Sequence, residues 1–178
     1  MKSYPYIQEA YKAILHGDYE LAVYWFETAI EKEPNNAEIH YRCSITYARN
    51  GKLEQALLHA QKAAELAPDH GEYLMHLGSL EAKKLTAGAR QLIEASASDL
   101  SKAREDILAQ LKKSIELDPL YTDAYVWLAI AYAEMDEYIL AIAVLKEAIS
   151  LEPQNEQLTQ LLQDFHNRMK SNKNKSSS

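Results

Sequence analysis

Residues 122–155 read TDAYVWLAIAYAEMDEYILAIAVLKEAISLEPQN, and this stretch decides the fold. Bulky residues (Leu128, Tyr132, Leu145) and small ones (Ala129, Ala141, Ala148) fall in two helical runs, parted by the turn former Asp136 with Tyr138 two residues on. Small side chains let two helices approach closely, while bulky ones fill the space between layers. Pro153 stops the second run, because proline disfavours helical geometry in the residue before it and has no donor with which to continue. The stretch predicts helix, short turn, helix, turn.

Working outward, the pattern recurs. Apart from Pro5, the prolines are Pro34, Pro68, Pro119 and Pro153, spaced by 34, 51 and 34 residues. Twelve residues before Pro34, Pro68 and Pro153 stand Ala22, Ala56 and Ala141; five before stand Ala29, Ala63 and Ala148. Seventeen before stand the turn formers Gly17, Gly51 and Asp136, followed by Tyr19, Leu53 and Tyr138. Asn35-Asn36, Asp69-His70 and Gln154-Asn155 follow the prolines as polar connectors. Self-similarity at a fixed period marks a repeat array. No segment alternates as a strand would.

These columns resemble the tetratricopeptide repeat, whose pattern is a large residue, then leucine and glycine, tyrosine, alanine, phenylalanine and proline over 34 residues. The fourth unit carries it in Tyr125, Leu128, Ala129, Tyr132, Ala141, Leu145, Ala148 and Pro153. The second has His40, Cys43, Ser44, Tyr47, Ala56, Ala60, Ala63 and Pro68 in those slots. The first has Tyr6, Ala10, Ala13, Ala22, Phe26, Ala29 and Pro34, with Glu9 where leucine is usual, as suits a terminal repeat with a wet outer face. The third opens with Leu74, Leu77 and Gly78. The resemblance implies an all-α fold, an α-solenoid of antiparallel helix pairs. Its units are 3–36, 37–70, 71–121 and 122–155 in a single domain over 1–170. Leu158, Leu161, Leu162, Phe165 and Met169 recur at helical spacing and predict a capping helix over 156–170. Residues 171–178 read as a disordered polar tail.

The third unit has 51 residues in place of 34, an insertion of 17 between Gly78 and Pro119. Ser98 to Ala103 parallels Gly51 to Ala56, which sets the inter-helix turn near Ser96 to Asp99 with Ser98 or Asp99 as the cap. On that register the first helix gains about 13 residues and the second about 4, one helical turn. Leu100, Ala103, Ile107, Leu111 and Ile115 then share a face. A protruding hairpin is expected, with a bend at Ala87-Gly88-Ala89 as the alternative to a straight helix. Its small residues and its stripe Leu85, Ala89, Leu92 and Ile93 offer a homodimer contact over residues 85–100, or pack on the hairpin's own second helix.

Composition narrows the function. Hydrophobic residues make up 47% and charged residues 25%, with Gly and Pro together only 10 of 178, which excludes collagenous, low-complexity and wholly disordered chains. Net charge is -7; setting aside Arg168, Lys170, Lys173 and Lys175 leaves 15 basic against 26 acidic residues, a body of -11. Such a body disfavours nucleic acid, whose binding draws on Lys and Arg against phosphates. No apolar run reaches a membrane span, and 156–170 lacks the basic face of a membrane-surface helix. The N-terminus lacks the apolar stretch of a signal peptide, so a cytoplasmic location is expected.

The chemistry-bearing motifs are absent: no glycine-rich phosphate loop, no His-Glu-x-x-His pair, no two-cysteine motif and no nucleophile elbow. Cys43 occupies a slot where the family carries leucine and reads as a buried, inert thiol. The six histidines, His16, His40, His59, His70, His76 and His166, show no i,i+4 pairing and read as packing or surface residues. No enzyme, no metal and no cofactor is expected.

In the family that the chain resembles, first helices line a concave groove that grips a peptide or a partner helix. Carried over, the groove residues are Ile7, Tyr11 and Ile14, then Glu38, Tyr41, Ile45 and Arg49. The third unit adds Met75, Ser79, Ala82 and Lys83, and the fourth Val126, Ile130 and Ala133. Ile7, Tyr11, Ile45, Met75 and Ser79 stand where some members carry a lysine, asparagine and arginine clamp for a chaperone's acidic tail, so that specificity is not expected. An apolar groove suits a helix or extended peptide with aliphatic anchors. Three anchors at about 1.5–3 kcal/mol each place the affinity on about the micromolar scale once ordering is offset. The expected function is a non-enzymatic protein-interaction adaptor. Its alternatives are a small chaperone for one client and a self-assembling module built through the third hairpin.

Overall fold

A computed structural model describes residues 3–95 and 103–176, with the side chains of 173–176 left aside. Among the described residues the chain is helical, without strands. The helices are α1 (Tyr4–Leu15), α2 (Tyr19–Lys32), α3 (Ala37–Arg49), α4 (Leu53–Leu66), α5 (Gly71–Ala95), α6 (Arg104–Leu117), α7 (Thr122–Glu134), α8 (Tyr138–Leu151) and α9 (Glu156–Ser176).

Two punctuation marks generate this order. Each second helix ends two residues before its proline, and the residue between (Glu33, Ala67, Asp118 or Glu152) is drawn out to φ between -129° and -140°. That is the extended geometry forced on a residue preceding proline. Each first helix described at its end turns through one left-handed residue: Gly17 (φ 74°), Gly51 (φ 73°) and Asp136 (φ 60°). At all three, two amides reach back to the last turn, as in Gly17 to Ile14 and Asp18 to Ala13. This is the Schellman closure, which glycine adopts without steric cost.

The four second helices are each 14 residues long. This corrects the register expected for the third unit. α6 gains no turn, and Arg104 stands where Tyr19, Leu53 and Tyr138 begin the others, fifteen residues before the proline. The alanine columns are then filled by Ile107 and Ser114, so the match of Ser98–Ala103 to Gly51–Ala56 is not structural. The expected turn at 96–99, its cap and Leu100 lie outside the described residues. All the added helix belongs to α5, 25 residues against 13 in α3 and α7. It runs through Ala87-Gly88-Ala89 as one continuous helix, with no interruption there.

The chain divides into two compact units, Met1–Leu80 and Glu81–Ser178, and the boundary falls inside α5. One core per unit is the reason. In the first, Ala10, Phe26, Ala29, Cys43, Ala56 and Ala60 are buried together, and Leu80 of α5 joins them. In the second, Ala89 and Ile93 of α5 join Ile107, Leu111, Leu128 and Leu145. The stripe, read from sequence as either a dimer contact or packing on the hairpin's own second helix, packs largely on α6 and the helices after it. Ser114 fixes that contact: its hydroxyl donates to the Ala82 carbonyl (2.8 Å), and the Thr86 hydroxyl donates to Ser114 Oγ (2.8 Å).

α9 lays Leu158 and Phe165 into the second core. It departs from the other first helices at one slot. Where α1, α3 and α7 carry the fully buried Ala10, Ser44 and Ala129, small enough for a second helix to lie close, α9 carries an exposed glutamine, Gln163. α9 also continues past residue 170 to Ser176, into the stretch read from sequence as a polar tail; Asn172 Nδ2 donates to Asp136 Oδ1 (2.7 Å).

Candidate functional site

The first helices of the N-terminal unit share one decorated face. On α1, Tyr11 sets its ring edge against Phe26, with centroids 5.8 Å apart. On α3, Arg42 lies over the Tyr11 ring at 5.6 Å and donates from Nη2 to Glu38 Oε1 at 2.7 Å, so one guanidinium joins α1 to α3. Tyr41 donates its hydroxyl to Glu72 Oε1 on α5 (2.8 Å) and packs its ring on Tyr73 at 4.7 Å and on His76, edge-on, at 5.3 Å. Behind this row the buried Ser44 hydroxyl donates to the Ala56 carbonyl (2.7 Å), which leaves its oxygen to accept from His76 Nε2–H (2.8 Å).

The electrostatics follow from these contacts. Partial burial, then the Glu72 carboxylate, pushes the Tyr41 phenol up to about 12. Burial raises Tyr11 against the opposing pull of Arg42. Glu38 holds the Arg42 guanidinium more firmly charged. Burial also pushes the Cys43 thiol far up, which keeps it protonated and unreactive. Among the described residues no group of three or more His, Cys, Asp or Glu side chains could hold a metal ion. The face offers aromatic edges, a thioether and fixed charges, a surface for contact.

The expected groove residues divide accordingly. Tyr11, Glu38 and Tyr41 are brought together, and Met75, on the same helix as Glu72 and His76, is 73% exposed. Ile45 is half-buried one turn beyond Tyr41. Ile7 and Ile14 are half-buried against the first core, and Val126 and Ile130 against the second. Ala82 and Ala133 are buried, Ser79 is half-buried, and Arg49 and Lys83 are exposed. The oily lining expected from sequence is therefore largely spent on packing, and the exposed face is aromatic and ionic. Arg42, Glu72, Tyr73 and His76 were not among the expected groove residues. For Arg42 a signal existed, the Glu38–Arg42 spacing of four that favours a helix-surface pair; for Glu72 and His76, which meet α3 across space, none did.

Comparison with known proteins gives the family. Tetratricopeptide repeat models match residues 13–83 and residues 111–143. The chain belongs to the tetratricopeptide repeat family. The probable biofilm formation methyltransferase WspC of Pseudomonas putida (strain KT2440) is 38% identical over 69 residues. That is 38% of this tetratricopeptide repeat chain and 16% of WspC, so the chain spans about a sixth of that relative's length. Among solved structures, a crystal structure of MamA protein matches with TM-score 0.55 at 22% identity, covering 95% of this chain and 85% of that one. MamA 41-end from Desulfovibrio magneticus RS-1 matches with TM-score 0.57 at 19% identity, covering 98% and 89%. At these identities the structural likeness speaks for the fold alone. Tetratricopeptide repeats serve protein–protein contact, and among the described residues no helix is long and apolar enough to cross a membrane.

Proposed function

We propose that this repeat chain is a non-enzymatic interaction adaptor that takes a peptide or helix on the first-helix face of its N-terminal unit, at Tyr11, Tyr41, Ile45 and Met75. The observation that carries the reading is the cross-braced row of Tyr11, Arg42, Tyr41 and Glu72. Its side chains are held in place by their neighbours before any partner arrives, so little ordering cost remains at binding. Tyrosine supplies large contact area with few rotatable bonds, and an exposed methionine adapts to the shape of an apolar anchor. The partner segment is therefore apolar with aliphatic or aromatic anchors.

The test begins with the partner retained by the intact protein, its bound segment mapped and its affinity measured by calorimetry. Tyr41→Glu and Ile45→Glu should each weaken that segment at least tenfold, while Leu120→Glu, at an exposed position of the second unit, should leave it unchanged. Equal affinity for all four proteins would move the site off this face.

A further inference from the structure

Two histidines 19 residues apart meet inside the first unit. His40 of α3 and His59 of α4 bring their Nδ1 atoms to 3.1 Å, and His40 Nε2 lies 2.9 Å from the Pro34 carbonyl oxygen. His40 is 7% exposed and His59 is half-buried under the stacked Tyr47 ring, at 5.4 Å and 15°.

The hydrogen bonds fix the protons. A carbonyl only accepts, so His40 Nε2 carries its hydrogen, and neutral His40 then presents a bare Nδ1 to its neighbour. His59 must supply the hydrogen between the rings from its own Nδ1. One further proton can enter on His59 Nε2 without disturbing this bond. A second, on His40 Nδ1, would set two N–H groups head to head at 3.1 Å between two cations. The groups that face the pair do not relieve this. From α2 comes Glu27, already accepting the Tyr47 hydroxyl; from α3 comes Tyr47; from the α2–α3 turn comes the Pro34 carbonyl.

We propose that the His40–His59 pair is an acid-sensitive latch within the first unit: folded, the two rings hold at most one added proton, and a second requires α3 and α4 to part. In the unfolded chain both imidazoles are free to ionise near pH 6.5. Burial, and the repulsion of a charged His40, hold His59 below its ordinary value, with the Glu27 carboxylate pulling the other way. The sign follows: the unfolded chain binds more protons below about pH 6.5, so stability from the pair is complete above that pH and is lost as pH falls through it.

The experiment uses the full chain. His40→Gln combined with His59→Asn keeps an amide donor in each place and removes both titrations. Between about pH 6.5 and 5 the unfolding constant from urea titrations should rise with acid more steeply for the natural chain than for this double variant, by about tenfold per pH unit for one excluded proton. His16, His70, His76 and His166 contribute equally to both proteins and cancel. Equal slopes would overturn the proposal. A second readout needs no variant: nitrogen-15 spectra of the histidines at about pH 8, well above their ionisation, should show His40 protonated at Nε2 and His59 at Nδ1. The reverse tautomers, or two rings titrating independently near pH 6.5 in the folded chain, would overturn it equally.

Discussion

Ser114 stands where the other second helices carry alanine, and its hydroxyl, fully buried, is the hinge pin of the α5–α6 contact. Ser114→Ala should cost about 1–2 kcal/mol, because it strands the buried Thr86 hydroxyl, whose acceptor it removes. Adding Thr86→Val should return most of that loss, since replacing both members of a buried hydrogen bond is close to neutral. Urea midpoints of the three proteins decide it. Tyr41 gives a second expectation at this scale. With its phenol pushed up to about 12 by burial and then by Glu72, the folded chain holds that proton more tightly than the unfolded one, whose tyrosines ionise near pH 10. The associated stability is complete below about pH 10 and is lost as pH rises from there to about 12. Alkaline absorbance titration, with Tyr41→Phe to assign the signal, should show Tyr41 ionising at lower pH in Glu72→Gln.

At the scale of elements, α5 is the departure from regularity. Gly88 lies mid-helix with ordinary backbone angles, and a Cβ added there would meet the tip of the Gln110 side chain, 2.6 Å from Oε1. A flexible side chain yields, so Gly88→Ala should gain up to about 1 kcal/mol of helix propensity, visible as a higher melting temperature by circular dichroism. A lower one would mean that Gln110 cannot move. The same element shows where sequence reading stops. Helix pairs were legible because prolines and left-handed turns are local signals, and three units keep alanine twelve and five residues before the proline. In the third unit Ile107 and Ser114 fill those places, so the columns no longer marked the start of α6, and a chance likeness further upstream supplied a false one. Pro119 alone, counted back to Arg104, carried the right register.

At the scale of the molecule, two cores imply two local stabilities. Phe26 and Leu145 are each completely buried, one per unit, and occupy the same repeat position. Each change to alanine should cost about 2–5 kcal/mol. Hydrogen exchange should localise the loss, with Phe26→Ala raising exchange first in α1–α3 and Leu145→Ala first in α7–α9. Uniform acceleration by either would mean a single cooperative unit. The class of the fold was readable at this scale, whereas the candidate site was readable only in outline. Tyr11, Tyr41 and Met75 were expected from their repeat slots, but whether Ile7, Ile14, Val126 and Ile130 face a ligand or a neighbouring helix depends on how much surface the packed helices leave. Repeat position says nothing about that.

The amide of Gln163 on α9 has one more implication. Repeat arrays lengthen by duplication, and a newly copied hairpin needs a seat of matching shape on the helix that precedes it. On α9 that seat is upholstered for water, with a long hydrated side chain where its counterparts offer a methyl or a hydroxyl. Extra copies of the 34-residue segment would therefore be accommodated between existing hairpins, upstream of α9, rather than docked onto it.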